Sequence, residues 1–106
     1  MADKLWKSVE RQVAKYFNGQ RNPVHGSGAH SDVSTPILSI EVKERESYPQ
    51  WLEDAVIEAV ANCEDSKLPV VVLHKKNRRL DDDWLIIRLK DYKDWYIGKE
   101  VDNGKN

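Results

Sequence analysis

Apolar residues recur three and four apart at the start of the chain, at Leu5, Trp6, Val9, Val13, Tyr16 and Phe17. That spacing puts them on one face of a helix, predicted over residues 4–17, and Asn18-Gly19 supplies its stop. Residues 20–30 contain Pro23, Gly26 and Gly28 and read as a loop or short edge strand. The period then shortens to two, so residues 31–34 and 37–43 predict the arms of a hairpin with its turn near Thr35-Pro36. Ser47, followed by Gln50 three positions on, reads as a capping box. It opens a helix to about Asn62, with Trp51, Leu52, Ala55, Val56, Ala59, Val60 and Cys63 on the apolar face. The β-branched run Pro69–Leu73 predicts a buried central strand, and Trp84–Leu89 a further strand. Residues 91–97 predict a short last helix before a polar, fraying end.

Helix, strands, helix, strand, strand is the order of an α/β domain with a mixed sheet flanked by helices. At 106 residues the chain has room for one modest core. One domain is expected over residues 1–98, with 99–106 as a polar tail. Apolar residues at 40% and charged residues at 33% fit a soluble globular chain. The sequence has neither a membrane-length apolar run nor a signal-peptide core, so the cytoplasm is the expected location. The lone Cys63 excludes an internal disulfide and a cysteine-based zinc site.

The net charge of −1 hides a local pattern. Lys4, Lys7, Arg11, Lys15 and Arg21 make the first quarter basic, and Lys75, Lys76, Arg78 and Arg79 form a second cluster, followed at once by Asp81-Asp82-Asp83. A neutral total with basic patches is compatible with a nucleic-acid partner without requiring one.

The candidate chemistry lies at Asp32 and Glu41-Val42-Lys43. Alternation puts Glu41 and Lys43 on one side of a strand, with Ile40 and Val42 on the other. A turn at Thr35-Pro36 brings Asp32 opposite Glu41. Two facing carboxylates repel unless a cation lies between them, and a hard oxygen set suits Mg²⁺. The plain alternative is a half-exposed strand carrying solvated charges. Glu10 has a plain reading too, as a helix-surface acid paired with a neighbouring cation. Gly26-Ser27-Gly28 alone is equally a flexible turn.

Taken in order, Glu10-Arg11, Arg21-x-Pro23, Gly26-Ser27-Gly28, Asp32 and Ile40-Glu41-Val42-Lys43 resemble the PD-(D/E)XK nuclease superfamily. Within it the set is most similar to the archaeal-type Holliday junction resolvases, which also occur in phages. The likeness spans about residues 5–75. It implies a restriction-endonuclease-like fold with an αβββαβ core and a Mg²⁺-dependent endonuclease, with Mn²⁺ as a substitute. Asp32 and Glu41 would hold the metal, with the Val42 carbonyl as a further ligand and Glu10 approaching directly or through water. Lys43 would orient or deprotonate the attacking water and steady charge on the phosphorane, and Ser27 would contact the phosphate or the strand near the cut. Arg11, Arg21, Gly26 and Gly28 would lie along the DNA, with Lys75, Lys76 and Arg78 as a second backbone contact. The partner would be branched DNA, cut symmetrically by a homodimer in the cytoplasm, or in the host cytoplasm for a phage-encoded chain. Related nucleases acting on nicks, flaps or duplex, and a non-catalytic DNA-binding protein of the same fold, are the alternatives.

Overall fold

Helix α1 (Leu5–Tyr16) ends where the sequence provides for it. Asn18 adopts a left-handed backbone (φ 54°), and the Gly19 N–H reaches back to the Ala14 carbonyl at 2.7 Å. Asn tolerates that conformation at a helix end better than most residues. Gly19 answers to close approach: a Cβ there would lie 2.7 Å from the Ser34 carbonyl oxygen. These features belong to a computed structural model, which describes residues 5–22 and 31–104 and the side chains of residues 7–22 and 31–96.

The chain forms two compact units that divide between Glu46 and Ser47, where the hydrophobic pattern predicts one domain. In the first, α1 precedes three short strands, β1 (Gln20–Arg21), β2 (Val33–Ser34) and β3 (Ser39–Ile40). They pair antiparallel in the order β1-β2-β3, with Arg21 opposite Val33 and Val33 opposite Ile40. The predicted turn is present. The Thr35 N–H donates to the Leu38 carbonyl at 2.9 Å, and Thr35 Oγ1 accepts from the N–H groups of Ile37 and Leu38. Pro36 follows at the position where its fixed φ suits a turn. Val33 is fully buried, and Ala14 is buried on α1.

The second unit contains α2 (Gln50–Ala61), β4 (Val71–Leu73), a 3₁₀ turn (Leu80–Asp82), β5 (Trp84–Ile86) and α3 (Leu89–Gly104). Strands β4 and β5 form an antiparallel pair, Val71 opposite Ile86 and Leu73 opposite Trp84. All described strand pairing is therefore antiparallel, in two small sheets, whereas the element order predicts a single mixed sheet.

Four local expectations are corrected. The capping box at Ser47 does not form: Pro49 is the N-cap, no side chain caps the helix, and Gln50 Nε2 donates forward to Asp54 at 2.9 Å. Pro49 holds an extended ψ of 139° before the first turn, and its carbonyl accepts from the Leu52 N–H. Cys63 lies beyond the C-cap Asn62 and is half-buried, its thiol near the Lys67 carbonyl at 3.3 Å. The Val70–Leu73 run is not a buried central strand. Val72 is 58% exposed and Leu85, directly opposite, 60% exposed, because a two-stranded sheet has too little cover for both faces. Finally, α3 runs to Gly104 through the segment expected as a polar tail. Among the described residues no helix is long and apolar enough to cross a membrane.

Candidate functional site

The site builds on the β2–β3 hairpin of the first unit. Its ladder pairs Val33 with Ile40, so one step further Asp32 faces Glu41. Regular pairing would then continue through backbone bonds. Instead, the Val42 N–H donates to Asp32 Oδ2 at 2.8 Å, while the Ser31 carbonyl accepts from Asn22 Nδ2 at 2.9 Å. A side-chain acceptor has replaced a ladder partner, as Asp readily does at strand ends. The bond fixes the Asp32 carboxylate at the start of the Glu41–Lys43 segment. Strand β3 accordingly ends at Ile40, three residues short of the predicted strand. Asp32 is half-buried, and Glu41 and Lys43 are exposed.

Register also decides which face each residue occupies. Residues directly opposite in a sheet project to the same side, and neighbours along a strand to opposite sides. Arg21, Val33 and Ile40 therefore share the covered face. Asp32 and Glu41 are the next residues outward on the two arms, past the last ladder pair. Glu10 belongs with the first group. It is buried on α1, one turn before the buried Ala14, and its Oε1 accepts from Arg21 Nε at 2.8 Å. The two residues expected to face metal and DNA are bound to each other beneath the sheet. The sequence carried a signal for this: Glu10 lies inside the stripe of Trp6, Val13 and Phe17, and a carboxylate in an apolar stripe needs a cation.

The other expected residues lie as follows. Arg11 is on the exposed side of α1. Gly26, Ser27 and Gly28 lie outside the described residues. Lys75, Lys76 and Arg78 belong to the second unit, in the connection leaving β4. There Arg78 N–H donates to the Lys75 carbonyl at 3.1 Å and Asn77 takes a left-handed φ of 66°, forming an exposed turn. Next to it stands a pair that the sequence reading did not single out: His74 Nδ1 lies 2.8 Å from Asp83 Oδ1. The signal lay in the register, since Leu73 opposite Trp84 makes His74 and Asp83 the next facing pair.

No protein-family model, curated protein or solved structure matches the chain.

Whether the carboxylates suit a metal can be judged from their geometry. Among the described residues, no three His, Cys, Asp or Glu side chains are grouped to hold an ion. Glu10, on the covered face, does not complete a set with Asp32 and Glu41. Among the described residues a closed set of three or four protein ligands, as zinc takes, is not present. The facing pair Asp32–Glu41 does match the sparser demand of Mg²⁺, which keeps several waters and takes one or two carboxylates with substrate phosphate oxygens. Asp32 has Oδ1 left for that purpose once Oδ2 is taken by Val42.

Proposed function

We propose that the chain is a Mg²⁺-dependent, structure-selective DNA endonuclease of the PD-(D/E)XK type, resolving four-way junctions as a homodimer. The observation that carries the reading is the Asp32 carboxylate held on the Val42 N–H between Glu41 and Lys43, just past the last ladder pair of the β2–β3 hairpin. The element order α1-β1-β2-β3-α2-β4 supports it, since it is the order of an αβββαβ restriction-endonuclease-like core. A two-fold dimer would present two such sites for paired cuts. Exposed Trp51 and Ile57 on α2 are apolar surface of the kind that dimer contacts use.

The chemistry divides among few residues. Asp32 and Glu41 hold the cation, and the Val42 N–H keeps the Asp32 carboxylate aimed. A divalent cation held there would supply Lewis acidity and would make a bound water more acidic than bulk water. Lys43 places its ammonium where negative charge grows on the phosphate oxygens. Glu10 and Arg21 fasten α1 to β1 beneath the sheet that carries the site.

The test is a cleavage assay on labelled synthetic four-way junction, splayed arm, nicked duplex and linear duplex, with Mg²⁺, Mn²⁺ or EDTA. Paired symmetric cuts in the junction, lost with EDTA and with Lys43→Ala, are expected. Cutting of the other substrates with the same metal and lysine dependence would move the activity to nick, flap or duplex processing. Tight binding without cutting in either metal would sink the enzyme reading and leave a DNA-binding protein.

A further inference from the structure

Beyond the carboxylate pair, the second unit holds a concavity of about 340 Å³ lined by Leu73, His74, Lys75, Arg78, Asp82 and Trp84. Its chemistry is unlike that of the hairpin in the first unit. The His74 imidazole is fixed by Asp83, whose side chain is only 7% exposed. Asp83 Oδ1 lies 2.8 Å from Nδ1, while its Oδ2 is buried with no hydrogen-bond partner. The histidine is thus the donor to Oδ1 of this carboxylate, and the bond pins the ring. With Nδ1–H given to Asp83, Nε2 is the nitrogen left for a ligand, and in the imidazolium it donates. The His74 side chain is about half exposed, so that edge is open to solvent.

Charge around the cavity is positive on balance. Among the lining side chains Lys75 and Arg78 stand against the acid Asp82, while the buried Asp83 lies behind, against His74. Trp84 forms another wall and is 66% exposed. A cavity at the lower end of the ligand-pocket range, with the cations Lys75 and Arg78, an imidazole that donates once protonated, and an open indole, suits a group that has both a phosphate and a flat ring. In duplex DNA the bases are stacked on one another, so only an unpaired strand offers Trp84 a ring face.

We propose that the β4–β5 hairpin is a second binding site, for one nucleotide of an unpaired DNA strand, with His74, Lys75 and Arg78 on the phosphate and Trp84 against the base. The site does not depend on the cutting reaction: it binds strand whether or not Asp32 and Glu41 hold a metal.

The experiment is fluorescence anisotropy of the whole chain with a short fluorescein-labelled oligothymidine strand in EDTA, beside an abasic strand and a duplex of equal length. Trp84→Leu weakens binding to the thymidine strand by about five-fold or more, the lower range of one base–aromatic stack, and leaves the abasic strand unchanged. Lys75→Ala with Arg78→Ala lowers the slope of log affinity against log salt by about 0.7, the share of the one phosphate they contact on a single strand. His74→Gln weakens both strands. Asp32→Asn leaves all this binding in place, which separates failure here from failure of the nuclease reading. On the unaltered protein, the thymidine strand shifts the His74 ring and Trp84 indole NMR signals. The proposal is overturned if neither signal moves, if Trp84→Leu costs as much on the abasic strand, or if the duplex is bound as tightly as the single strand with the same Trp84 dependence.

Discussion

The two hairpins solve the same geometric problem with different chemistry. In each, two residues nine positions apart face one another one step beyond the paired ladder: Asp32 and Glu41 past Val33–Ile40, His74 and Asp83 past Leu73–Trp84. At the open end of β2–β3 the pair is acid against acid, and the protein compensates one oxygen through the Val42 N–H. At the loop end of β4–β5 the pair is imidazole against carboxylate, bonded to each other at 2.8 Å through one carboxylate oxygen. The first arrangement leaves negative charge to be met from outside the chain, which is what a cation does. The second buries its one carboxylate against an imidazole and leaves Lys75 and Arg78 beside it for an anion. Their surroundings differ as well. The first unit buries Val33 completely, whereas among the described side chains all but one of the large exposed apolar ones, Ile37 being the exception, lie in the second.

The strongest way to break this comparison is to neutralise one side of the acid pair. Glu41→Gln abolishes metal-dependent cleavage and leaves the melting temperature within about 0.5 kcal/mol of wild type in stability terms, since an exposed charge is removed. Cleavage at the wild-type rate would return the pair to solvated surface charge. Next in size is the covered face of the same sheet. Glu10→Ala strands a largely buried arginine and costs about 3 kcal/mol in denaturant titration, whereas Glu10→Gln, which keeps an acceptor for Arg21 Nε, costs clearly less. Equal losses would mean that burial and not the ion pair accounts for the effect.

The contrast in burial between the units is sharpened by one substitution made twice. Val33→Ala removes fully buried methyl groups and costs about 2 kcal/mol. Val72→Ala, at a position 58% exposed, stays within about 0.5 kcal/mol. A comparable cost at Val72 would show that its face is covered in solution, as an associated chain would cover it.

The smallest effect expected is at the start of α3, where Arg88 grips Asp91 through Nε at 2.6 Å and a second nitrogen at 3.0 Å. The Arg88 hydrogen bond holds the Asp91 carboxyl below its ordinary value of 3.8. A carboxylate lowered in the folded state stabilises the fold above its ordinary value, and that contribution fades as pH falls through the lowered one. Arg88→Ala should therefore melt slightly below wild type at neutral pH, and the gap should close in acid. A gap that persisted or widened in acid would contradict the assignment.

Much of the first hairpin was legible in the sequence because it depends on local chemistry. Thr35-Pro36 sets the turn, the turn sets the register, and the register brings Asp32 to Glu41. The helix stop at Asn18-Gly19 was legible for the same reason. What escaped depended on partners distant in the chain or on competition between neighbours. Glu10 announced its need for a cation, but only β1 packed on α1 shows that Arg21 supplies it. Ser47 had the spacing of a cap, yet Pro49 took the position. The apolar run of β4 read as buried because pattern reports which residues seek cover, not whether the chain provides it. His74 and Asp83 look unrelated until the Leu73–Trp84 register is known.

The measurement that bears most directly on the central claim compares Asp32→Asn with Asp32→Ala, each assayed for Mg²⁺-dependent cleavage of a four-way junction and for thermal stability. Asparagine keeps a carbonyl oxygen for the Val42 N–H and loses the charge; alanine loses both. Cleavage should vanish in both variants, while only Asp32→Ala loses stability, by about 1–2 kcal/mol for the missing hydrogen bond. Wild-type cleavage by Asp32→Asn would contradict the account and make Asp32 a hairpin cap with no part in metal binding.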